Sequence, residues 1–470
     1  MSEISLDLRD RRASFRGLED RVFDLLVIGA GITGAGVARD AALRGLSVAL
    51  VEANDFGSGT SSRSSKLIHG GLRYLAQGEV AVVREAATER RVLHRIAPHL
   101  TLVNPMVMPA RSKAGITSMR AAMWTFEKLA KVDKPERHEV WNRKRLQNEE
   151  PTIKADGLAG AVVYPEYVTD DGRLVLANAV SAVQAGARVA TYAPVTEIIL
   201  ENGRVSGAVV RSSLPGDENG ARIRARLIIN AAGPWVDHLR HLEDDKAKNR
   251  LQLTKGIHLV FNHDRLPISR TVVMRTSDRR GVFIVPHGRF VYTGTTDTFY
   301  PEPEYWPEIT GEDVDYLLEP VNRTFNVEPI THNEIVSVWS GLRPLLGQEG
   351  KKPSEISRRD EAFDGPGGLV SIAGGKLTSY RSMAERLVDS CEKKLGEKHV
   401  PSKTAEQKLP GADFPGSFDE LQTRVEKLGF ETEEARRVAQ IYGGQAPDIF
   451  TGAKGPAVEA AHAVLHEGAL

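Results

Sequence analysis

The feature that most constrains the fold is a strand–turn–helix–strand pattern between residues 22 and 52. The run over residues 22–28 is apolar and rich in β-branched side chains, which predicts a buried parallel strand. The turn Gly29-Ala30-Gly31-Ile32-Thr33-Gly34 follows, then a helix-forming stretch to Arg44 and a second strand that ends at Glu52. Such glycines permit a tight turn and close approach of a pyrophosphate, while the acid accepts hydrogen bonds from a ribose. The pattern therefore predicts a dinucleotide-binding unit.

Composition excludes several classes of function. The 62 Lys and Arg residues balance 62 Asp and Glu residues, so no net charge attracts nucleic acid. The single cysteine, Cys391, excludes an internal disulfide and a thiolate metal cluster, and we predict no metal. No apolar run reaches the roughly 18 residues that span a bilayer. The charged N-terminal stretch lacks the apolar core of a signal peptide. We expect a cytoplasmic chain, either soluble or peripheral on the cytoplasmic membrane face.

Three strands that end in glycine turns lie far apart in the sequence, near residues 29, 233 and 374. The block from 251 to 300 is rich in strand-forming residues. This arrangement predicts a mixed α/β (α+β) fold in which a nucleotide domain is interrupted by an antiparallel substrate domain. The predicted boundaries are 1–105, 155–240 and 355–397 for the nucleotide domain, 106–154 and 241–354 for the substrate domain, and 398–470 for a helical C-terminal domain.

The third glycine turn, Gly374-Gly375, favours a flavin over a nicotinamide. It precedes a stretch whose apolar residues, from Leu377 to Cys391, recur at helical spacing. A helix N-terminus at this point could stabilise the anion of a reduced flavin, whereas nicotinamide has no such anion. Taken alone, the turn favours an ordinary helix that follows a core strand.

Further motifs extend this pattern through most of the chain. In chain order they are Thr-Ser-Ser-Arg-Ser-Ser-Lys-Leu-Ile-His-Gly-Gly-Leu-Arg-Tyr-Leu (60–75), Asp-Asp-Gly-Arg-Leu-Val-Leu-Ala-Asn (170–178), Asn-Ala-Ala-Gly-Pro-Trp (230–235), Thr-Lys-Gly-Ile-His (254–258), Gly-Thr-Thr-Asp-Thr (294–298), Ser-Gly-Leu-Arg-Pro-Leu (340–345) and Gly-Gly-Lys-Leu-Thr-Ser-Tyr-Arg (374–381). Together with the first turn, they resemble the FAD-dependent (aerobic, quinone-linked) glycerol-3-phosphate dehydrogenases, within the D-amino-acid-oxidase-like flavoproteins.

The resemblance implies a fold and a reaction. The fold would be an FAD-binding Rossmann-like domain with an inserted antiparallel-sheet domain and a helical C-terminal domain, of which residues 398–470 would supply only part. The reaction would be oxidation of sn-glycerol 3-phosphate to dihydroxyacetone phosphate by hydride transfer from C2 to N5 of non-covalently bound FAD. Electrons would then pass to a membrane quinone. A second copy of the chain is a further expected partner, and nucleic acid is not.

The resemblance also implies a set of cofactor-binding residues in the three turns and in the Gly/Ser/Thr loop that follows Glu52. They are Gly29, Gly31, Ile32, Thr33, Gly34, Glu52, Thr60, Ser61, Ser62, Ser65, Lys66, Leu67, His69, Gly70, Gly71, Ala231, Ala232, Gly233, Trp235, Gly374, Gly375, Lys376, Leu377 and Thr378.

A phosphorylated polyol requires cations for its phosphate and donors for its hydroxyl groups. Arg343 follows an apolar strand, where an unpaired charge is costly, and this favours contact with a substrate. A surface salt bridge is the ordinary alternative for Arg358 and its neighbour Arg359. The predicted substrate-binding residues are Arg73, Tyr74, Arg343, Arg358, Lys376, Thr296 and Asp297.

His258 is the predicted general base, because an imidazole accepts a hydroxyl proton near neutral pH. A hydrogen-bonded core histidine is the alternative. His69 is a rival base, although its loop favours a flavin contact. Arg343, which could stabilise an alkoxide, and Lys376 complete the predicted catalytic residues.

Residues 111–134 predict an amphipathic helix. Ile116, Met119, Met123, Phe126 and Ala130 fall on one side, and Trp124 lies beside them. The positive charge comes from Lys113, Arg120, Lys128 and Lys131. Such a helix suits either an anionic membrane surface or packing onto the substrate domain.

Other functions stay open at this stage. They are a glycerol-3-phosphate oxidase that passes electrons to oxygen, another hydroxy- or amino-acid flavin oxidoreductase, and a flavin-bound protein without catalysis.

Overall fold

The computed structural model describes residues 10–71, 79–130, 132, 134–347, 350 and 360–451. The α-helices in this part of the chain are α1 (Arg11–Arg16), α2 (Ile32–Leu43), α3 (Val80–Ile96), α4 (Lys113–Ala130), α5 (Arg143–Glu149), α6 (Asp171–Gln184), α7 (Val236–Glu243), α8 (Gly311–Thr324), α9 (Tyr380–Leu395), α10 (Phe418–Glu426), α11 (Thr432–Tyr442) and α12 (Ala446–Phe450).

The strands form two sheets. They are β1 (Val22–Ile28), β2 (Val48–Val51), β3 (Leu67–Ile68), β4 (Thr101–Ala110), β5 (Glu139–Asn142), β6 (Gly160–Thr169), β7 (Arg188–Ala190), β8 (Val195–Glu201), β9 (Arg204–Arg211), β10 (Gly220–Asn230), β11 (Leu251–Asn262), β12 (Thr271–Arg275), β13 (Gly281–His287), β14 (Phe290–Gly294), β15 (Thr298–Phe299), β16 (Ser337–Leu346), β17 (Glu361–Asp364) and β18 (Val370–Ala373).

The first sheet aligns the three glycine turns. Its strand order is β17-β18-β10-β1-β2-β7, and β18, β10, β1, β2 and β7 pair in parallel, with β8 and β9 added antiparallel beside β10. Ile28 pairs with Asn230, which in turn pairs with Ser371. The turns after β1, β10 and β18 therefore meet at one edge of the sheet, although some 140 to 200 residues separate these paired positions along the chain.

Both faces of this sheet are covered, which explains its nearly continuous apolar strands. On one face, Val27, Leu50 and Ile229 pack with residues of α2 and α9. On the other face, Leu26 and Ile228 pack with Phe15 of α1 and with β8 and β9.

The second sheet has the order β15-β11-β14-β13-β12-β4-β6-β3, with β16 paired to β11 and β5 paired to β6. Its strands are antiparallel except for the pairing of β4 with β12. Helix α8 packs on one face through Val314, Leu317 and Val321. These features confirm the predicted fold class, including a helical C-terminal region, in which α10 to α12 share a small apolar core.

The two sheets divide the chain differently from the predicted boundaries. The boundary at 105/106 falls inside β4, which lies wholly in the second sheet. Strand β6 also belongs to the second sheet, although the range 155–240 was assigned to the nucleotide domain. The reason is that β4 and β6 pair over ten residues, from Thr101 opposite Thr169 to Ala110 opposite Gly160.

Helix α4 turns most of its apolar stripe inward. Met123 and Phe126 are buried in a core with residues of α3, β4 and β6, and Ile116 and Met119 are half-buried against it. The stripe therefore packs mostly onto the second sheet, as in the packing alternative. Lys131 lies outside the described residues. Trp124 remains 60% exposed. Among the described residues, no helix combines the length and apolarity needed to cross a bilayer.

Candidate active site

A cavity of about 1460 Å³ lies between the glycine-turn edge of the first sheet and the second sheet. All three turns line it, and so do residues of β11, β12 and β16. Pockets for one small ligand are commonly about 300–1,000 Å³, so this volume is sufficient for a dinucleotide together with a small substrate.

The first turn is packed tightly enough to require glycine. A Cβ added to Gly34 would lie 1.8 Å from the carbonyl oxygen of Gly29. The N-cap residue of α2, Gly31, has no side chain that could cap the helix, and the Ser61 hydroxyl accepts a hydrogen bond from the Ile32 N–H at 2.9 Å. The N-terminus of α2 consequently offers backbone donors and a positive dipole end to a phosphate.

Glu52 lies at the end of β2, buried, and is fixed by two backbone donors. Its carboxylate accepts hydrogen bonds from the N–H groups of Ala30 at 2.7 Å and Asn54 at 2.9 Å. Burial raises the pKa of Glu52 above its ordinary value, although these donors act in the opposite direction. The carboxylate lines the cavity, where a ribose acceptor is expected.

Most of the predicted cofactor residues line the cavity. They are Gly29, Gly31, Ile32, Thr33, Glu52, Thr60, Ser61, Ser65, Leu67, His69, Gly71, Ala231, Ala232, Gly233, Trp235, Gly374, Gly375, Lys376 and Leu377. The observed turns, the N-terminus of α2 and Glu52 fit the pyrophosphate and ribose of FAD.

The structure does not bring five of the predicted cofactor residues to the cavity wall: Gly34, Ser62, Lys66, Gly70 and Thr378. The Lys66 ammonium forms an ion pair with buried Asp171 at 2.7 Å. The Gly70 N–H donates to Glu166 at 3.0 Å, and the Thr378 hydroxyl donates to the His69 carbonyl at 3.3 Å. These groups are engaged by the protein itself.

His258, on β11, lines the cavity from the second sheet. Its Nε2 lies 2.8 Å from the Ser65 hydroxyl oxygen, and its Nδ1 has no hydrogen-bond partner among the described residues. Its ring stacks on Trp339 with centroids 4.5 Å apart. A Cβ added to Gly294 would lie 2.1 Å from His258 Cδ2, so a glycine is needed beside the imidazole.

Burial holds the pKa of His258 well below its ordinary value of 6.5, and the positive charges of Arg343 and Lys66 act in the same direction. The imidazole is therefore neutral at neutral pH and able to accept a proton.

Arg343, on β16, also lines the cavity and is held in place by β-sheet neighbours. Its guanidinium contacts the Asp297 carboxylate at 3.2 Å and the Thr295 hydroxyl at 3.0 Å. Arg280 contacts the other oxygen of Asp297 at 3.4 Å. Asp297 thus holds two cavity-lining arginines.

The predicted substrate contacts of Thr296 and Asp297 are not supported, because neither residue lines the cavity. The Thr296 hydroxyl accepts a hydrogen bond from the Ile257 N–H, and the Asp297 carboxylate forms ion pairs with Arg280 and Arg343. Arg73, Tyr74 and Arg358 lie outside the described residues.

Sequence reasoning missed several residues of the cavity wall. Arg63, Arg275 and Arg280 line it, and so does Tyr305. Arg280 belongs to a basic turn between β12 and β13 that is typical of a solvated surface, so no local signal distinguished it. The cavity lining therefore carries several cations, Arg343 and Lys376 among them, and cations of this kind bind phosphate.

The sequence matches the model of the FAD dependent oxidoreductase family over residues 24–381. Since this match covers more than half of the sequence, the chain belongs to that family.

The curated relatives narrow this class. The chain is 41% identical over 454 residues to the aerobic glycerol-3-phosphate dehydrogenase of Bacillus subtilis (strain 168), covering 94% of this chain and 81% of that protein. It is 38% identical over 461 residues to the aerobic glycerol-3-phosphate dehydrogenase of Staphylococcus haemolyticus (strain JCSC1435), covering 95% and 82%. Within its class, the chain belongs to the aerobic glycerol-3-phosphate dehydrogenases, which confirms the resemblance found in the motifs.

Solved structures of other proteins support the same family and fold. The glycerol-3-phosphate dehydrogenase of Bacillus halodurans, solved with FAD, superposes with a TM-score of 0.78 at 36% identity, over 98% of this chain and 83% of that chain. A glycine oxidase from Geobacillus kaustophilus shares the fold with a TM-score of 0.60 at 21% identity, over 82% and 98%.

We predict that Gly34→Ala strongly reduces FAD binding, because the added methyl group would displace the first turn. The FAD content of the purified variant, measured from flavin absorbance, should fall by at least about tenfold, as expected for the loss of the phosphate-binding turn. Gly311→Ala is the matched control, since nothing lies within 4 Å of a Cβ at that position. Normal FAD content in Gly34→Ala would contradict the role of this turn.

Proposed function

We propose that this protein uses FAD to oxidise sn-glycerol 3-phosphate to dihydroxyacetone phosphate and passes the electrons to a quinone. The observation that carries the proposal is a neutral, buried imidazole, His258, beside a fixed guanidinium, Arg343, in the cavity that the three glycine turns line. The relatives named aerobic glycerol-3-phosphate dehydrogenase support the choice of substrate.

His258 is suited to remove the proton of the C2 hydroxyl group. When its Nε2 donates to the Ser65 hydroxyl, Nδ1 is left as a free acceptor in the neutral ring. Trp339 stacks on the ring and excludes water from that face. The positive charge of Arg343 destabilises the protonated imidazole, so His258 must pass the accepted proton to another group.

Arg343 stabilises the developing alkoxide and orients the substrate. Asp297 and Thr295 fix its guanidinium, which lowers the reorganisation needed when negative charge develops. Arg275, Arg280 and Lys376 supply the charge that binds the phosphate. FAD, when bound, supplies the acceptor for the hydride from C2.

Anaerobic addition of sn-glycerol 3-phosphate to the FAD-bound protein tests the proposal. We expect the flavin absorbance to bleach, while lactate and D-alanine leave it unchanged. A soluble quinone should then restore the absorbance faster than oxygen does. Bleaching by lactate or D-alanine alone would exclude sn-glycerol 3-phosphate as the substrate. Stoichiometric peroxide with no response to quinone would favour a glycerol-3-phosphate oxidase.

We predict that His258→Gln lowers the rate of flavin reduction by about 10²–10⁴-fold, the usual contribution of a general base. In the native chain, the folded pKa of His258 is lowered, so the base stays neutral as pH falls through 6.5 and its protonation should not lower the reduction rate there. Stopped-flow absorbance across a pH series measures both effects.

His287→Gln is the matched control, because burial lowers the pKa of His287 to about 4 but this residue does not line the cavity. An equal loss of rate in both variants would exclude His258 as the base.

We further propose that the protein meets the membrane peripherally to reach its quinone, through the outer face of α4. Trp124 is exposed there, Lys128 lies 5.6 Å above its ring, and Lys113 and Arg120 are exposed nearby. An exposed indole beside basic residues suits an anionic headgroup layer.

We expect the protein to float with anionic vesicles and Trp124→Glu to reduce the bound fraction by several fold. Ile449→Glu, at another exposed apolar residue, should bind as the native chain does. Absence of native binding, or equal loss in both variants, would contradict the membrane contact.

A further inference from the structure

The loop Tyr300-Pro301-Glu302-Pro303-Glu304-Tyr305-Trp306-Pro307-Glu308 reaches from the second sheet towards the first sheet. We call residues 300–308 the aromatic strap. It connects β15 with α8, and Tyr305 at its tip lines the cavity. None of the motifs that indicate FAD or substrate includes it.

The base of the strap is anchored to the second sheet by polar contacts. The Lys255 ammonium donates to the Glu308 carbonyl at 2.8 Å and forms an ion pair with Asp313 at 2.6 Å. The Ser340 hydroxyl donates to the Pro307 carbonyl at 2.6 Å. This end of the strap is therefore fixed to β11, β16 and α8.

The tip of the strap contacts the nucleotide side of the cavity through Tyr305. Its ring stacks on Trp235, which follows the second glycine turn, with centroids 4.2 Å apart and planes 29° apart. Its hydroxyl interacts with the Asn54 side chain and with the charge of Glu52. Tyr305 therefore lies at the end of the cavity where Glu52 marks the ribose position.

A second contact holds the neighbouring residue. The Arg63 guanidinium lies over the Trp306 ring, 3.8 Å from its centroid, although Trp306 itself is 66% exposed. Arg63 belongs to the loop after Glu52 and also lines the cavity. Neither Tyr305 nor Trp306 belongs to the apolar cores of the described chain. Their rings hold the strap across the cavity rather than fill a core.

We propose that the aromatic strap is a cofactor clasp, in which Tyr305 covers the Glu52 end of the cavity and FAD leaves only when the strap opens. Opening breaks the Tyr305–Trp235 stack and the Trp306–Arg63 contact, both on the first-sheet side, and leaves the anchors at Lys255 and Ser340 intact. The clasp rests on FAD binding and is independent of which substrate the protein oxidises.

The rate of FAD release tests the clasp without any turnover. The FAD-bound protein is diluted, and the rise of free-flavin fluorescence gives the release rate. An aromatic pair contributes a factor of about two to ten to an equilibrium, so Tyr305→Ala should release FAD about three- to tenfold faster. Tyr305→Phe keeps the stack and should stay within about twofold of the native rate.

Two further variants separate the clasp from general destabilisation. Trp306→Ala should accelerate FAD release by about two- to fivefold, because it removes an exposed cation–π contact. This variant also tests the clasp if the Tyr305→Ala protein cannot be produced in folded form. Phe299→Ala, at an exposed ring on β15 outside the cavity wall, should leave the release rate unchanged.

Thermal unfolding completes the test. A clasp lowers the Tm of the FAD-bound Tyr305→Ala protein by more than the Tm of the FAD-free protein, because the FAD-free protein loses only the ring stack itself. The proposal is overturned by native release rates in both strap variants, by equal acceleration in Phe299→Ala, or by an equal fall of Tm in the FAD-free protein. Each of these outcomes is distinct from a failure to oxidise glycerol 3-phosphate.

Discussion

The parallel pairing of β10 with β1 on one side and β18 on the other is the constraint on which the active site depends. It brings three turns from distant parts of the chain to a single edge, where their backbone donors meet one cavity. The pairing is stabilised by burial on both faces, because helices cover one face and β8, β9 and α1 cover the other. The register of these strands therefore determines the positions of the residues on the nucleotide side of the site.

Buried ion pairs position the residues on the substrate side of the active site. Asp297 is almost fully buried and is shared by Arg343 and Arg280, so the arginines keep defined positions before any substrate arrives. Lys66 and buried Asp171 form a similar pair close to His258. Burial is the main cause of the lowered pKa of His258, and the cations Arg343 and Lys66 lower it further, which couples the electrostatics of substrate binding to the basicity of His258.

The sequence was sufficient for the parts of the fold that rest on local patterns. Glycine turns after apolar strands predicted the nucleotide domain, because their conformational demands are local. Whether a residue of the loop between β14 and β15 faces the cavity is not a local property. The sequence therefore predicts substrate contacts for Thr296 and Asp297, although these residues bind Ile257 and the arginines. Arg280 and Tyr305 were missed because a basic turn and a Pro-rich loop usually lie in solvent. The inward packing of α4 depended on the sheet beneath it.

Strand β3 is only two residues long, yet it belongs to both halves of the site. Leu67 lines the cavity, and through Val168 it is paired to the ladder of the second sheet, while the loop before it carries Ser61 and Ser65. Ser61 contacts the α2 N-terminus and Ser65 contacts His258. A displacement of the substrate sheet therefore also shifts the surroundings of the cofactor. The distance between the two reactants is thus tied to one short segment that both halves of the site hold.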